Sequence, residues 1–223
     1  MRVTAWRTLG AAGLAAMLIA TYFIATAASR SFYGIDHPVN LIFYYHVAVA
    51  WIGFAGLLLA AAASGAYLAT RKVAFSWGAE ATIVVSFAFL TLTLLTGMVW
   101  ARFIWNSWWE WSDLRLVTAL VVWFIYAAYL VFRQQAQGAG GHAKSAVFSM
   151  LAFVTVPVTV ASTRLWQSPF HGTSIGTDSV SIHGLAFALA LIGSGLIYPY
   201  LVALRWRSHQ LQELLDEREA RTS

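Results

Sequence analysis

The sequence predicts an all-α integral membrane protein, a bundle of six transmembrane helices, and three observations predict it. Of its 223 residues 60% are hydrophobic and 10% charged, whereas a soluble domain carries roughly a quarter charged residues. The apolar residues are gathered into six stretches that reach or approach the ~20 residues needed to cross a bilayer as a helix. The Lys and Arg residues fall between those stretches with a bias toward alternate connections, ten against four.

Each element has its own justification. The first stretch, Leu9–Ala28, follows Arg2 and Arg7 and ends near Ala25-Thr26-Ala27, which resembles a signal-peptide cleavage site. Its apolar run exceeds the ~7–15 residues of a signal core, so a retained helix is expected. The second, third and fourth stretches are Leu41–Ala69, Ala79–Trp100 and Leu116–Phe132. The fifth, Ala146–Ala161, is short and contains Pro157, which predicts a kink or an adjusted tilt. The sixth, Ile182–Leu204, leads into Gln210–Arg221, whose alternating charges predict a helical extension into water rather than a further domain. Gly138-Ala139-Gly140-Gly141 reads as a flexible turn between the fourth and fifth stretches. No internal repeat stands out, and residues 1–223 read as one membrane domain.

Charge and composition exclude several functions. There is no cysteine, so disulfides, thiolate metal sites and cysteine nucleophiles are ruled out. The formal net charge of +5 comes from scattered residues, not from one basic face, and does not point to nucleic acid. The basic residues instead report orientation. Arg2, Arg7, Arg71, Lys72, Arg133, Lys144, Arg205, Arg207, Arg218 and Arg221 share one side, and Arg30, Arg102, Arg115 and Arg164 share the other. The positive-inside bias then makes both termini cytoplasmic and turns the connection between the third and fourth helices outward.

That outward connection holds the densest signal in the chain. Trp100, Trp105, Trp108, Trp109 and Trp111 are five of the 11 tryptophans, and Arg102, Glu110, Asp113 and Arg115 lie among them. Indoles commonly anchor a protein at the membrane boundary, but five in one loop suggest a surface for a large, flat, conjugated ligand. Four of the six histidines, His37, His46, His171 and His183, fall on the same outer side. His142 and His209 fall on the inner side and read as solvated loop residues. An imidazole from each of two outer segments can approach one iron from opposite faces while the tryptophans floor a porphyrin. The outer arginines would then answer its propionates. Read singly, each histidine has a plainer role. His46 could be a hydrogen-bonded core residue, His171 a surface residue, His183 a group orienting the start of the sixth helix, and His37 a loop residue sharing charge with Asp36.

The stretch Gly97–Leu116, with Trp100, Trp105, Trp108, Trp109, Trp111, Asp113 and Arg115, resembles the W-G-x-W-W-x-W-D-x-R-L signature of haem-handling "WWD" proteins. The six-helix layout and short outer loops look like the CcmC family of bacterial cytochrome c maturation. Tyr44-Tyr45-His46-Val47-Ala48-Val49-Ala50-Trp51 is similar to that family's Y-x-H-V-P-x-A-W, and Leu165-Trp166-Gln167-Ser168-Pro169-Phe170-His171 to its W-W-N-T-L-H-Q. Asn106 stands in place of the signature's glycine, Ser112 is an added residue before Asp113, and Ala48 replaces a proline.

The resemblance implies haem b held at the periplasmic face of the inner membrane. His46 and His171 would be its axial ligands, with Trp100, Trp105, Trp108, Trp109, Trp111, Asp113, Arg115 and Arg102 around it. It further implies delivery to the periplasmic haem chaperone CcmE, alongside the ATPase complex CcmA–CcmB and the small helper CcmD. No enzymatic chemistry is expected, since the few carboxylates form no pair suited to acid–base work. His183 is the alternative to His171. Two other readings stay open: a bis-His b-haem electron carrier, and a haem-free permease subunit anchored by its tryptophans.

Overall fold

The computed structural model describes residues 3–27, 31–32, 35–136, 138–165 and 182–222. The described helices are α1 (Val3–Ala27), α2 (Ile42–Thr70), α3 (Val73–Ile104), α4 (Leu114–Gln135), α5 (Gly138–Phe153), α6 (Thr155–Leu165) and α7 (Ile182–Thr222). A 3-10 helix at Pro38–Leu41 leads into α2. Strands β1 (Ser31–Phe32) and β2 (Ile35–Asp36) pair antiparallel over two residues each, too little to form a layer. Six helical spans are long and apolar enough to cross a membrane, with α5 and α6 together supplying the fifth, Gly140–Ser162. The fold is the all-α membrane bundle that the hydropathy predicts.

Helix α2 lies at the centre, packed against α3, α5 and α7. One core joins Leu57 and Ala60 of α2, Ile83 and Leu90 of α3, Val122, Tyr126 and Tyr129 of α4, and Ala152 of α5. Inside the apolar interior, polar groups need protein partners. The Tyr198 hydroxyl accordingly donates to the Thr82 carbonyl at 3.1 Å and lies 2.7 Å from Ser86 Oγ. The first and last helices lie side by side. A Cβ at Gly13 would fall 2.7 Å from Ile197 and one at Gly193 would fall 2.7 Å from Met17, so small residues let α1 and α7 approach closely.

Several boundaries differ from expectation. Helix α3 begins at Val73, not near Ala79, because only Arg71 and Lys72 separate it from α2. Arg71 makes this possible in the left-handed region, φ 58°, while its amide donates to the Tyr67 carbonyl at 2.7 Å. The Gly138–Gly141 run is not a turn but the first turn of α5. Gly141 packs so near the end of α4 that a Cβ would meet the Ala136 carbonyl carbon at 2.4 Å, so glycine serves close approach there. The break expected from Pro157 does occur. It falls at Val154, between α5 and α6, three residues ahead of the proline, as the missing N–H and ring clash of proline require. The charged tail continues α7 as a helix through Thr222, past Pro199.

Candidate functional site at the tryptophan end

The end of the bundle formed by the start of α2, the end of α3 and the start of α4 gathers most of the residues singled out above. Three rungs tie the 3-10 helix and α2 to one face of α3. His37 caps the 3-10 helix, accepting from the Val39 amide through Nδ1 at 3.1 Å, and stacks on Phe103 with ring centroids 5.7 Å apart. Asn40, fully buried, accepts from the Trp100 indole N–H at 2.9 Å. His46, in the second turn of α2, places Nδ1 2.9 Å from Thr96 Oγ1. Thr96, Trp100 and Phe103 follow the i, i+4, i+7 spacing of one helix face, which is why three successive contacts line up. Directly beneath the His46 ring lies Gly97, where a Cβ would approach Cε1 to 3.0 Å.

Beyond α3 the chain turns through Asn106, whose φ of 55° is left-handed. Asparagine is among the few residues that tolerate this region without being glycine, so its place in the signature is physically reasonable. The Arg102 guanidinium reaches across that turn to the Asn106 side-chain oxygen. The Trp100 and Trp105 rings meet edge-on at 5.0 Å, and those of Trp109 and Trp111 meet at 5.9 Å. Trp108 and Trp111 are 55% and 72% exposed.

Asp113 is fully buried and caps α4, accepting from the Arg115 amide at 2.9 Å. Its carboxylate therefore sits where a helix N-terminus favours negative charge. The residue builds the loop from inside rather than offering an exposed rim. Close by, the Trp109 Nε1 and the Arg115 Nε and Nη2 atoms are buried without a hydrogen-bond partner among the described residues. Buried donors of this kind are costly unless something accepts from them. The arrangement thus supplies a fixed imidazole, exposed indole faces and cationic donors unanswered among the described residues, a combination suited to a flat apolar molecule with an anionic edge.

Residues 166–181, including Trp166 and His171, lie outside the described residues. The start of α7 carries His183, whose side chain also lies outside them. The two inner-side histidines depart from expectation. His142 is no solvated loop residue: it lies on α5 and its Nδ1 accepts from the Arg133 guanidinium at 3.1 Å, with Ser76 Oγ at 2.8 Å. His209 sits on α7 and meets the Glu80 carboxylate. His37 uses its Nδ1 as a capping acceptor, and the side chain of Asp36 lies outside the described residues. Asn40, Thr96 and Gly97 were not foreseen. The signal available was the recurrence of Thr96, Trp100 and Phe103 on one face of the third helix.

A sequence profile described as "Cytochrome C assembly protein" matches residues 3–171, a stretch that contains His46 and the whole tryptophan segment. This chain belongs to that family. It is 28% identical over 179 residues to the "Heme exporter protein C" of Haemophilus influenzae, covering 77% of this chain and 72% of that protein. It is 27% identical over 142 residues to a "Putative cytochrome c biosynthesis ccmC-like mitochondrial protein" of Marchantia polymorpha, covering 64% of this chain and 60% of that one. A shorter stretch of 49 residues, 22% of this chain and 15% of the relative, is 53% identical to "Cytochrome c biogenesis protein CcsA" of Prochlorococcus marinus. Relatives named for heme export support the CcmC assignment within the family.

Proposed function

We propose that this chain binds haem b at the periplasmic surface of the inner membrane and presents it to the chaperone CcmE during cytochrome c maturation. The observation that carries the reading is the set of buried donors on Trp109 and Arg115 that have no acceptor among the described residues, beside the exposed Trp108 and Trp111. Haem meets both needs of that surface, since its propionates accept from cationic and indole N–H donors and its ring covers indole faces. Relatives named "Heme exporter protein C" support the same ligand.

Bound there, haem would supply an iron open to imidazole and a conjugated ring. His46, held by α2 against α3, would be one iron ligand. His171 would be the other, with His183 as the substitute. Trp100, Trp105, Trp108, Trp109 and Trp111 shield the ring from lipid and water, and Arg115, with Arg102, orients its anionic edge. Asp113 keeps Arg115 in register by capping the helix on which it stands. No residue acts as nucleophile or general base, because presentation needs binding and release only. CcmA–CcmB and CcmD are the remaining partners in this reading. The periplasmic orientation rests on the distribution of Lys and Arg among the connections.

The visible absorption spectrum of detergent-purified protein tests the ligands. His46→Ala and His171→Ala are each expected to lose the six-coordinate signature, and with co-expressed CcmE each should lower its covalent haem loading. A colourless wild-type protein sinks the haem reading. A wild type that binds haem, exchanges electrons reversibly with quinol and never raises CcmE loading favours the electron carrier.

A further inference from the structure

The contact between His46 and α3 has a direction. The Thr96 hydroxyl lies 2.7 Å from the Leu92 carbonyl, 3.2 Å from the Thr93 carbonyl and 2.9 Å from His46 Nδ1. A hydroxyl carries one hydrogen, and a carbonyl oxygen can only accept. The shortest of the three separations matches an O–H···O bond to Leu92, whose usual length is about 2.7–2.8 Å. Back-bonding of a threonine to the carbonyl four residues earlier is also its ordinary habit within a helix. With the hydrogen committed to Leu92, the oxygen faces His46 with its lone pairs, and the ring nitrogen must supply the proton. The 2.9 Å separation fits that N–H···O bond, whose usual length is about 2.9–3.0 Å.

We propose that Thr96 is a positioning residue that holds His46 in the Nδ1–H tautomer, placing the imidazole lone pair on Nε2, the nitrogen a metal would take. A ligating histidine is commonly fixed through its other ring nitrogen in this way, which sets both its orientation and its basicity. Two features of α3 act together. Thr96 fixes the tautomer and Gly97 leaves room for the ring to lie against the helix, since a Cβ there would meet Cε1 at 3.0 Å. The next rung, Asn40 accepting from Trp100, ties the 3-10 helix ahead of α2 to the same face of α3 one turn further along. The inference rests on the reading of His46 as an iron ligand, but the tautomer is a property of the haem-free protein and can be measured there.

The experiment is nitrogen-15 NMR of histidine-labelled, haem-free protein in lipid nanodiscs, with His46 assigned by loss of its signals in His46→Gln. Wild type and Thr96→Ser are expected to show Nδ1 protonated. Thr96→Val keeps the shape but removes the acceptor, and should move His46 to the other tautomer or to a mixture. Haem titration should then show affinity lowered roughly 10–100-fold in Thr96→Val and restored in Thr96→Ser, as for other supports of a metal ligand. A wild type protonated at Nε2, or a Thr96→Val variant with unchanged tautomer and haem affinity, overturns the proposal. A wild-type haem spectrum in His46→Ala instead removes His46 from the iron and withdraws the haem role of Thr96, whatever tautomer is found.

Discussion

At the end of the bundle where α2 passes into α3, Glu80 is buried and its carboxylate accepts from Arg205 at 2.7 Å, with His209 on its other oxygen. At the opposite end Arg115 and Trp109 are half-buried, yet three of their donor atoms are shut off from water and have no acceptor among the described residues. Among the described residues, the first end pairs its buried carboxylate with Arg205 and His209, although Arg205 Nε itself has no partner there, whereas Arg115 at the second end has no carboxylate against its guanidinium. The balanced end locks the tail of α7 against α3 and the side of α5 against α4 through His142 and Arg133. It behaves as structure. The other end carries the exposed indoles and the imidazole rung, and under the proposed function its donors would answer an anionic molecule. Buried polarity thus separates the two ends more clearly than hydropathy does, because hydropathy sees six similar spans and no difference between their termini.

Three experiments test this contrast, from the largest expected effect to the smallest. The first is all-or-none. With Ser112→Cys in the tryptophan segment and Gly140→Cys at the opposite end, a membrane-impermeant thiol reagent applied to intact cells should label the first and spare the second. Gly140 has nothing within 4 Å of an added Cβ, so the substitution fits there. The reverse labelling pattern would turn the molecule over and put its unbalanced donors in the cytoplasm.

The second concerns the balanced end. Arg205→Ala leaves the Glu80 carboxylate buried with half of its pairing gone, and breaking such a pair costs about 3 kcal/mol or more. Because Arg205 itself is 39% exposed, the lower part of that range is expected. Thermal unfolding in nanodiscs should show the loss while haem retention in the surviving folded protein stays at the wild-type level. Reduced haem retention at unchanged stability would mean that the two ends are coupled.

The third concerns the unbalanced end, with the signs exchanged. Trp108→Leu combined with Trp111→Leu changes two exposed residues, and surface changes away from special features typically move stability by no more than about 0.5 kcal/mol. Haem retention should fall nonetheless. If it stays at the wild-type level, these indoles are interfacial anchors alone.

Much of this was legible before any coordinates. The six spans follow from apolar runs, and the candidate loop follows from the crowding of tryptophans. What the sequence hid were pairings between residues far apart in the chain. His142 and His209 look like loop residues until Arg133 and Glu80 are brought beside them. His46 stands out as an imidazole in an apolar run, but its direction depends on Thr96, fifty positions later. Asp113 stands in the sequence as one polar residue among the tryptophans, and becomes a buried cap once the chain turns into α4. The Gly138–Gly141 run misled for the opposite reason, since glycine signals both a turn and a close packing contact, and only the position of Ala136 tells which.

The adjacency of α1 and α7 sets a schedule for assembly. A chain emerges from the ribosome N-terminus first, so α1 enters the bilayer before its main packing partner has been synthesised. Four further spans must insert before α7 appears. Throughout that interval the small-residue face of α1, with Gly10 and Gly13, has only lipid or transient neighbours against it. Docking of Ile197 and Tyr200 onto that face then closes the bundle as a late event. A bulky residue at Gly13 would accordingly leave insertion of the early spans intact and fail at docking, giving a protein that reaches the membrane with all its helices and never seats α7 against α1.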